Sequence, residues 1–301
     1  MIITKYFEKG DLTHYITNNF FNLCWYSKKC LLTYIAKGLD EIHTANIIHK
    51  DYHSGNIFID SEETAVTGDF GISKSAIDND DNEIYGIIPY VSPEVLQGQK
   101  YTKASDIYSF GMIMWELMTG RRPFWDKIHD TDLIIEICDG FRPPIVTDAP
   151  EGYIELMKEC WNFDPNKRPT ACALVKRVTK ICDLSLKYIT KIKKTPDIGP
   201  TKTNDPGAIY KSRSLIAMIN SAKSTRSFRS LKMQSFNFLK NINNFMQKDK
   251  RKFDDNNRIG DIRDNDNGKR IKKFKLNKNN DYLTRELEFD IEKDDNYSSK
   301  I

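Results

Sequence analysis

Two histidines, a lysine, an aspartate and an asparagine lie within the octapeptide HKDYHSGN, residues 49–56, and side chains of these types bind metals or move protons. His49, Asp51 and His53 alternate as H-x-D-x-H, a pattern that fits a hydrolytic metal site and equally fits a solvated polar loop. The octapeptide alone leaves these alternatives open.

The elements around the octapeptide narrow the choice. Apolar residues at helical spacing precede it and predict an amphipathic helix: Leu31, Leu32, Ile35, Leu39 and Ile42. After it, the segments IFID and AVTGDF flank the polar turn SEET and predict two short strands. If these strands pair antiparallel, Asn56 at the start of the first lies across from Asp69 at the end of the second. Two hard oxygen ligands would then face one point, which suits Mg²⁺.

The order of three motifs points to one family. The octapeptide fits the H-R-D-L-x-x-x-N motif of the protein-kinase catalytic loop, with Lys50 in place of arginine and Tyr52 in place of leucine. The motif D-F-G follows at residues 69–71, and A-P-E follows with serine for alanine at residues 92–94. Each tripeptide alone is unspecific, but their order and spacing are specific. Residues 1–182 therefore resemble the hinge and C-terminal lobe of a protein kinase, closest to the tyrosine-kinase-like group.

The resemblance implies a mainly α fold (α+β overall), in which a helical bundle carries a small catalytic β-hairpin. The kinase-like domain is expected over residues 1–184. The resemblance also implies an ion pair between Arg168 and Glu94, and hydrogen bonds from the backbone of the catalytic loop to Asp106.

The activity implied by the resemblance is phosphoryl transfer from ATP with Mg²⁺ to a protein substrate. Asp51 is then the base, Asn56 and Asp69 are the metal ligands, and Lys50 supplies a positive charge for a phosphorylated activation loop. His53 stands where many serine/threonine kinases have lysine, and it either stabilises the transferred phosphate or acts as a hydrogen-bonding spacer.

The same resemblance assigns a nucleotide pocket. Thr4 is the gatekeeper, Lys5 and Phe7 offer hinge backbone groups, Asp11 reaches the ribose, and Phe58 forms the floor beneath the adenine. Because Phe58 is larger than the aliphatic residue common at this position, we expect a tight pocket. A strand aromatic of the core is the alternative role for Phe58.

Two departures bear on activity. Ile87 stands where many serine/threonine kinases have a threonine, yet GIIPYVSPE fits tyrosine kinases less well, so we expect a serine or threonine acceptor rather than tyrosine. No G-x-G-x-x-G or V-A-I-K motif precedes the hinge. The intact base and metal ligands favour a piece of a longer active kinase. The alternative is a truncated or pseudokinase-like interaction module without catalysis.

The two parts of the chain carry net charges of opposite sign. Residues 1–184 carry a net charge of −8, whereas residues 185–301 carry +12 and are rich in Lys, Asn, Asp and Ser. Such a composition predicts a mostly disordered basic tail, in which RSLIAMINSAKS could form a short helix. We expect this tail to dock on the acidic lobe, near DNDDNE, or on other proteins. The run KRIKKFK, residues 269–275, reads better as a solvated segment than as a nucleic-acid patch.

Cysteine spacing and hydropathy indicate the cellular compartment in which the protein is expected. The six cysteines include no C-x-x-C pair, which is typical of a reduced intracellular protein. No apolar run approaches the roughly 20 residues of a membrane span. We expect a cytoplasmic protein without a membrane partner, and the basic tail leaves the nucleus as an alternative location.

Overall fold

The computed structural model of the protein describes residues 6–75, 83–147, 149–181, 194–201 and 203–226. Its helices in chain order are α1 Leu12–Asn19, α2 Trp25–Thr44, α3 Pro93–Leu96, α4 Lys103–Thr119, α5 Thr131–Cys138, α6 Tyr153–Cys160 and α7 Ala171–Ile181. Residues 216–226 are also helical. The predicted helix-rich fold with small sheets is confirmed.

Helix α4 is the centre of the bundle. Its residues from Ser105 to Thr119 are buried on every face, as expected for a helix enclosed by others. A capping box between Thr102 and Ser105 begins the helix, and Gly120 ends it in the left-handed region with φ of 74°. A Cβ on Gly120 would lie 2.7 Å from the ring of Phe20, so the end of α4 also packs closely against the residue after α1.

Helix α2 packs against α7 and against the strand of residues Ala65–Thr67, which belongs to the predicted hairpin. The apolar residues that predicted this helix are all buried: Leu31, Leu32, Ile35, Leu39 and Ile42. Burial of this stripe is the main contribution to the stability of the helix, at about 1.5–3 kcal/mol for each fully buried aliphatic side chain.

The described strands form three two-stranded antiparallel sheets. Strand β1, Ile47–Ile48, pairs with β4, Lys74–Ser75, and β5, Tyr85–Gly86, pairs with β6, Arg213–Ser214. The predicted hairpin is confirmed as β2, Ile57–Ile59, and β3, Ala65–Thr67, with Phe58 opposite Val66. Asp60 accepts hydrogen bonds from the backbone of Glu62 and Thr64, which fixes the turn between these strands.

Residues 194–201 and 203–226 pack on the kinase-like lobe. Four of their apolar side chains are buried: Ile198, Leu215, Ile219 and Ala222. The expected disorder of the tail is therefore wrong for these residues, because an apolar stripe at i, i+4 and i+7 along helix 216–226 has a surface to cover. The predicted short helix is confirmed. The other residues of the tail lie outside the described part, and the boundary at 184 stays a prediction.

Candidate active site

The catalytic loop, residues 49–56, connects β1 to β2, and one buried carboxylate holds it against α4. Asp106 accepts hydrogen bonds from the backbone N–H of His49 at 2.9 Å and of Lys50 at 3.0 Å, and His43 Nε2 lies 2.9 Å from it. The predicted contact of Asp106 with the loop backbone is confirmed. Lys50 has a φ of 70°, a conformation that a non-glycine residue keeps only where its surroundings hold it.

The middle of the loop is tied to α2 by Tyr52. Its hydroxyl donates to the carbonyl of Ile35 at 3.0 Å, and the side chain is buried. A tyrosine can replace the family's leucine here because the helix supplies this acceptor. The ring of His49 contacts both Tyr52 and Phe70, at centroid distances of 5.3 and 5.2 Å, which joins the loop to the D-F-G motif.

Asp51, the candidate base, has its side chain 12% exposed beside His53. His53 Nδ1 accepts a hydrogen bond from the N–H of Gly55 at 3.0 Å, so the ring proton is on Nε2, which lies 3.5 Å from Asp51 Oδ1. Burial raises the pKa of Asp51, but hydrogen bonds from His53 and Ser212 outweigh that effect, and the pKa lies below its usual value. The carboxylate is therefore ionised at neutral pH, as a base must be.

The two predicted metal ligands come from the ends of the hairpin. The N–H of Gly68 donates to the carbonyl of Asn56 at 2.9 Å, so Asn56 lies across from Gly68. The predicted pairing of Asn56 with Asp69 is therefore wrong by one residue, although both residues lie at the open end of the hairpin. Asn56 Nδ2 donates to the carbonyl of Asp51 at 2.9 Å, which leaves the amide oxygen as the atom for a cation. Asp69 is exposed with φ of 58°, and its Oδ1 accepts a 3.3 Å hydrogen bond from Gly71. An amide oxygen and a carboxylate form a donor set that fits Mg²⁺.

The described part of the nucleotide pocket is aromatic. Phe7 and Phe58 stack with centroids 5.3 Å apart and planes at 22°, so an adenine on Phe58 would compete with Phe7 for a ring face. Asp11 forms an isolated β-bridge with Phe58 and caps α1 through a 2.8 Å bond from the N–H of His14. Two predicted residues of this pocket lie outside the described residues: Thr4 and Lys5.

Beyond the D-F-G motif, the described activation segment is held near both of its ends. Ser73 donates from its hydroxyl to the carbonyl of His49 at 3.2 Å, beside the pairing of β4 with β1. At the other end, both oxygens of Glu94 accept 2.7 Å hydrogen bonds from the buried Arg168 guanidinium, so the predicted ion pair is confirmed. Burial raises the pKa of Glu94, but the hydrogen bonds and charge of Arg168 outweigh this and lower it.

A polar network behind the loop was not predicted. The hydroxyl of Tyr90 donates to Glu116 of α4 and lies 3.4 Å from Ser54 Oγ, which is 2.8 Å from Thr13 Oγ1. Burial raises the pKa of Glu116 above its usual value. These side chains are far apart in sequence and follow no spacing pattern, so sequence reasoning had no signal for the network. Ser212 was also missed, because it belongs to the expected tail.

Comparison with known proteins agrees with this geometry. Residues 1–178 match the family described as protein tyrosine and serine/threonine kinase. Over 184 residues, 60% of this chain, the sequence is 33% identical to a serine/threonine-protein kinase/receptor of Acanthamoeba polyphaga mimivirus. It is 35% identical over 184 residues, 59% of this chain, to a serine/threonine-protein kinase of Dictyostelium discoideum. It is also 33% identical over 189 residues, 60% of this chain, to ephrin type-B receptor 2 of Gallus gallus.

These matches cover a small part of each relative: 11% of the first two proteins and 19% of the third. Within the described residues, none of the helices combines the length and hydropathy that a bilayer span requires. The motif order, the tethered catalytic loop, the Glu94–Arg168 pair and the match over residues 1–178 lead to one conclusion. The chain belongs to the protein tyrosine and serine/threonine kinase family.

Proposed function

We propose that the chain carries the catalytic lobe of a protein kinase that transfers the γ-phosphoryl group of ATP to a serine or threonine hydroxyl of a protein. The observation that carries the proposal is the link between Asn56 and Asp51, in which the Asn56 amide donates to the Asp51 carbonyl at 2.9 Å. This bond couples the position of a metal ligand to the position of the base, and positioning is what phosphoryl transfer requires from the protein.

Each residue of the site then has a defined task. Mg²⁺·ATP, when bound, supplies the phosphoryl group and the cation that neutralises phosphate charge. Asp51 orients the substrate hydroxyl and takes its proton, while Asn56 and Asp69 would hold the Mg²⁺. Asp11, Phe7 and Phe58 would bind the nucleoside, and the Phe7–Phe58 stack favours the predicted tight pocket.

His53 is best described as a positioning residue. Its Nε2 lies 3.5 Å from Asp51 Oδ1, and its Nδ1 accepts a hydrogen bond from the N–H of Gly55 at 3.0 Å. An imidazole ring fixed in this orientation beside Asp51 can orient the carboxylate of the base. Of the two predicted roles, the geometry therefore favours the hydrogen-bonding one.

Lys50 is proposed to bind a phosphate carried by the activation segment. Lys50 and Lys74 line one concave site together with Glu83, Tyr85 and Tyr101. Lys74 belongs to the segment that leads from the D-F-G motif, in β4, so a phosphorylated hydroxyl of that segment could be drawn to the site that the two lysines line.

The acceptor class and the compartment complete the proposal. The relatives include both serine/threonine kinases and an ephrin receptor, so the match alone does not decide the acceptor. The sequence GIIPYVSPE favours serine or threonine. The described cysteines are free thiols, which suits a reducing compartment such as the cytoplasm.

Substitution of the base tests the function. The purified chain is assayed for nucleotide-dependent thermal stabilisation with and without Mg²⁺, and for transfer of ³²P from ATP to a general protein substrate. Asp51→Asn should reduce transfer by at least about 10²-fold and retain Mg²⁺·ATP binding. Asp69→Asn should lose the Mg²⁺-dependent part of the stabilisation.

Asp132→Asn, an exposed position at the start of α5, is the matched control and should change neither quantity. Transfer that survives undiminished in Asp51→Asn would contradict the assignment of the base. A wild-type chain that binds Mg²⁺·ATP but transfers nothing would favour the interaction module instead.

A further inference from the structure

We propose that residues 208–215 occupy the substrate-peptide groove of their own lobe, with the hydroxyl of Ser212 in the place of the phosphoacceptor. The inference rests on the proposed function, because that function makes Asp51 the group that a substrate hydroxyl must reach. It assigns residues 208–215 a regulatory role, since a segment seated there excludes other substrates until it leaves.

The first observation is the contact of Ser212 with the base. Ser212 follows the anchored carbonyl of Ile209 and directly precedes β6, and its side chain lies close enough to the Asp51 carboxylate to help lower the pKa of that group. Between a hydroxyl and an ionised carboxylate the hydroxyl is the donor, which is the relation of an acceptor substrate to a catalytic base. Ser214, two residues later, is exposed and pairs with Tyr85 across the strand ladder.

The second observation is the backbone pairing along the activation segment. Strand β6 pairs antiparallel with β5, with Arg213 opposite Gly86, and the N–H of Leu215 donates to the carbonyl of Ile84 at 2.8 Å. A Cβ on Gly86 would lie 4.0 Å from Asp51 Oδ1, so β5 passes directly beside the base. Adding an extended strand to an exposed edge is a general way in which proteins hold peptides.

The third observation is that both ends of the segment are anchored. Before Ser212, the N–H of His129 donates to the carbonyl of Gly207 at 2.9 Å, and the His129 ring lies 2.9 Å from the carbonyl of Ile209. Arg213 donates to the carbonyl of His129 at 2.7 Å. After it, Leu215 is fully buried in an apolar cluster that includes residues of α3 and α5. Contacts on both sides fix the register that brings Ser212 to Asp51.

The sequence of residues 208–215 also indicates which peptide substrates the groove accepts. A serine hydroxyl is one bond beyond Cβ, so Ser212 reaches Asp51 only because the strand backbone passes close to the base. A tyrosine hydroxyl, at the far end of a ring, would need the backbone farther away. Leu215 lies three residues after Ser212 and fills an apolar pocket. We therefore assign the groove to an extended peptide with serine or threonine as acceptor and a large aliphatic residue three positions later.

Peptide binding in the absence of nucleotide tests the proposal. The probe is a fluorescein-labelled peptide with the sequence of residues 206–217, and its polarisation is measured against the full chain. In the wild type the tethered segment competes at an effective concentration of about millimolar, so the probe should bind weakly. Ser212→Asp places a carboxylate against Asp51 and should expel the segment, which strengthens probe binding at least about tenfold. Ser214→Asp, on the exposed face of the same strand, is the matched control and should bind the probe as weakly as the wild type.

Hydrogen exchange gives a second readout. Backbone amides of residues 208–215 should exchange faster in Ser212→Asp than in Ser214→Asp, and Leu215→Ser should expel the segment through its other anchor. Equal probe affinity for wild type and Ser212→Asp, or equal exchange in the two aspartate variants, overturns the proposal. Because neither measurement uses ATP, absence of phosphotransfer in Ser212→Asp, in which the groove is free, would refute the proposed function without altering this result.

Discussion

Replacement of Asp106 by asparagine should separate the catalytic loop from α4. The Asp106 carboxylate is 1% exposed, and it accepts two backbone N–H groups of the loop while His43 approaches it at 2.9 Å. The two carboxylate oxygens of Asp106 serve different partners: Oδ1 accepts from the N–H of Lys50, and Oδ2 lies within bonding distance of both the His49 N–H and the His43 ring. An asparagine has one acceptor oxygen, so its NH₂ group must face at least one buried N–H.

The magnitude follows from these contacts. A hydrogen bond to a charged group contributes about 1.5–3 kcal/mol, and a buried donor left unsatisfied costs about 1–3 kcal/mol. Losing one such bond and leaving one such donor should lower the free energy of unfolding by about 3–5 kcal/mol. The positive φ of Lys50, which costs about 1–2 kcal/mol, is then less well supported. A loop displaced by about 1 Å should also reduce kcat by about 10²-fold.

Urea denaturation of the full chain measures the stability change, and the ³²P transfer assay measures the rate. Asp126→Asn, at an exposed position in the loop between α4 and α5, is the control for stability, because such a substitution should change the free energy of unfolding by less than about 0.5 kcal/mol. Stability of Asp106→Asn within about 1 kcal/mol of the wild type would refute the reasoning. It would mean that the backbone N–H groups of the loop find other acceptors.

Three further variants test other contacts. Glu94→Gln should lower the free energy of unfolding by about 3–5 kcal/mol at pH 7, because Arg168 would stay buried without its charge partner. Since the pKa of Glu94 is lowered, the wild type should lose this advantage in urea titrations as pH falls below about 4.5. Lys28→Met should raise the free energy of unfolding by about 1–2 kcal/mol, because the buried amine has no hydrogen-bond partner among the described residues and burial lowers its pKa. That gain should shrink as pH rises toward about 10.5, where the unfolded chain also loses the proton. His53→Leu removes a hydrogen bond that lowers the pKa of Asp51, so the acidic limb of the pH–rate profile should move to higher pH.

Local sequence patterns correctly predicted the hairpin and the helix that position the site. The hairpin of β2 and β3 follows from two short apolar runs around a polar turn. Its observed register places Asn56 across from Gly68, one residue away from Asp69. The buried face of α2 follows from helical spacing in the same way. The Glu94–Arg168 pair joins residues 74 positions apart, so no local pattern could show it, and only the family resemblance predicted it.

The ordered part of the tail was missed for a physical reason. Composition measures whether a segment can bury enough apolar surface by itself, and residues 185–301 cannot. It does not measure whether another part of the chain presents a surface for a few apolar residues. Leu215, Ile219 and Ala222 are spaced as one helical face, and the apolar cluster around α3 and α5 covers them. The helical spacing of these residues was visible in the sequence, but the apolar surface of α3 and α5 that covers them was not.

Helix α4 holds the catalytic loop from both of its sides. Asp106, in its first turn, accepts the backbone N–H groups at the start of the loop, whereas Glu116, about 15 Å along the helix axis, accepts the hydroxyl of Tyr90 behind the end of the loop. Tyr90 in turn lies 3.4 Å from Ser54 and contacts the His53 ring at 5.7 Å. A buried rigid helix thus holds both flanks of Asp51 through hydrogen bonds to carboxylates. With Asp51 held from both sides, the proposed function predicts that an acceptor hydroxyl, including that of Ser212, adapts its position to the carboxylate.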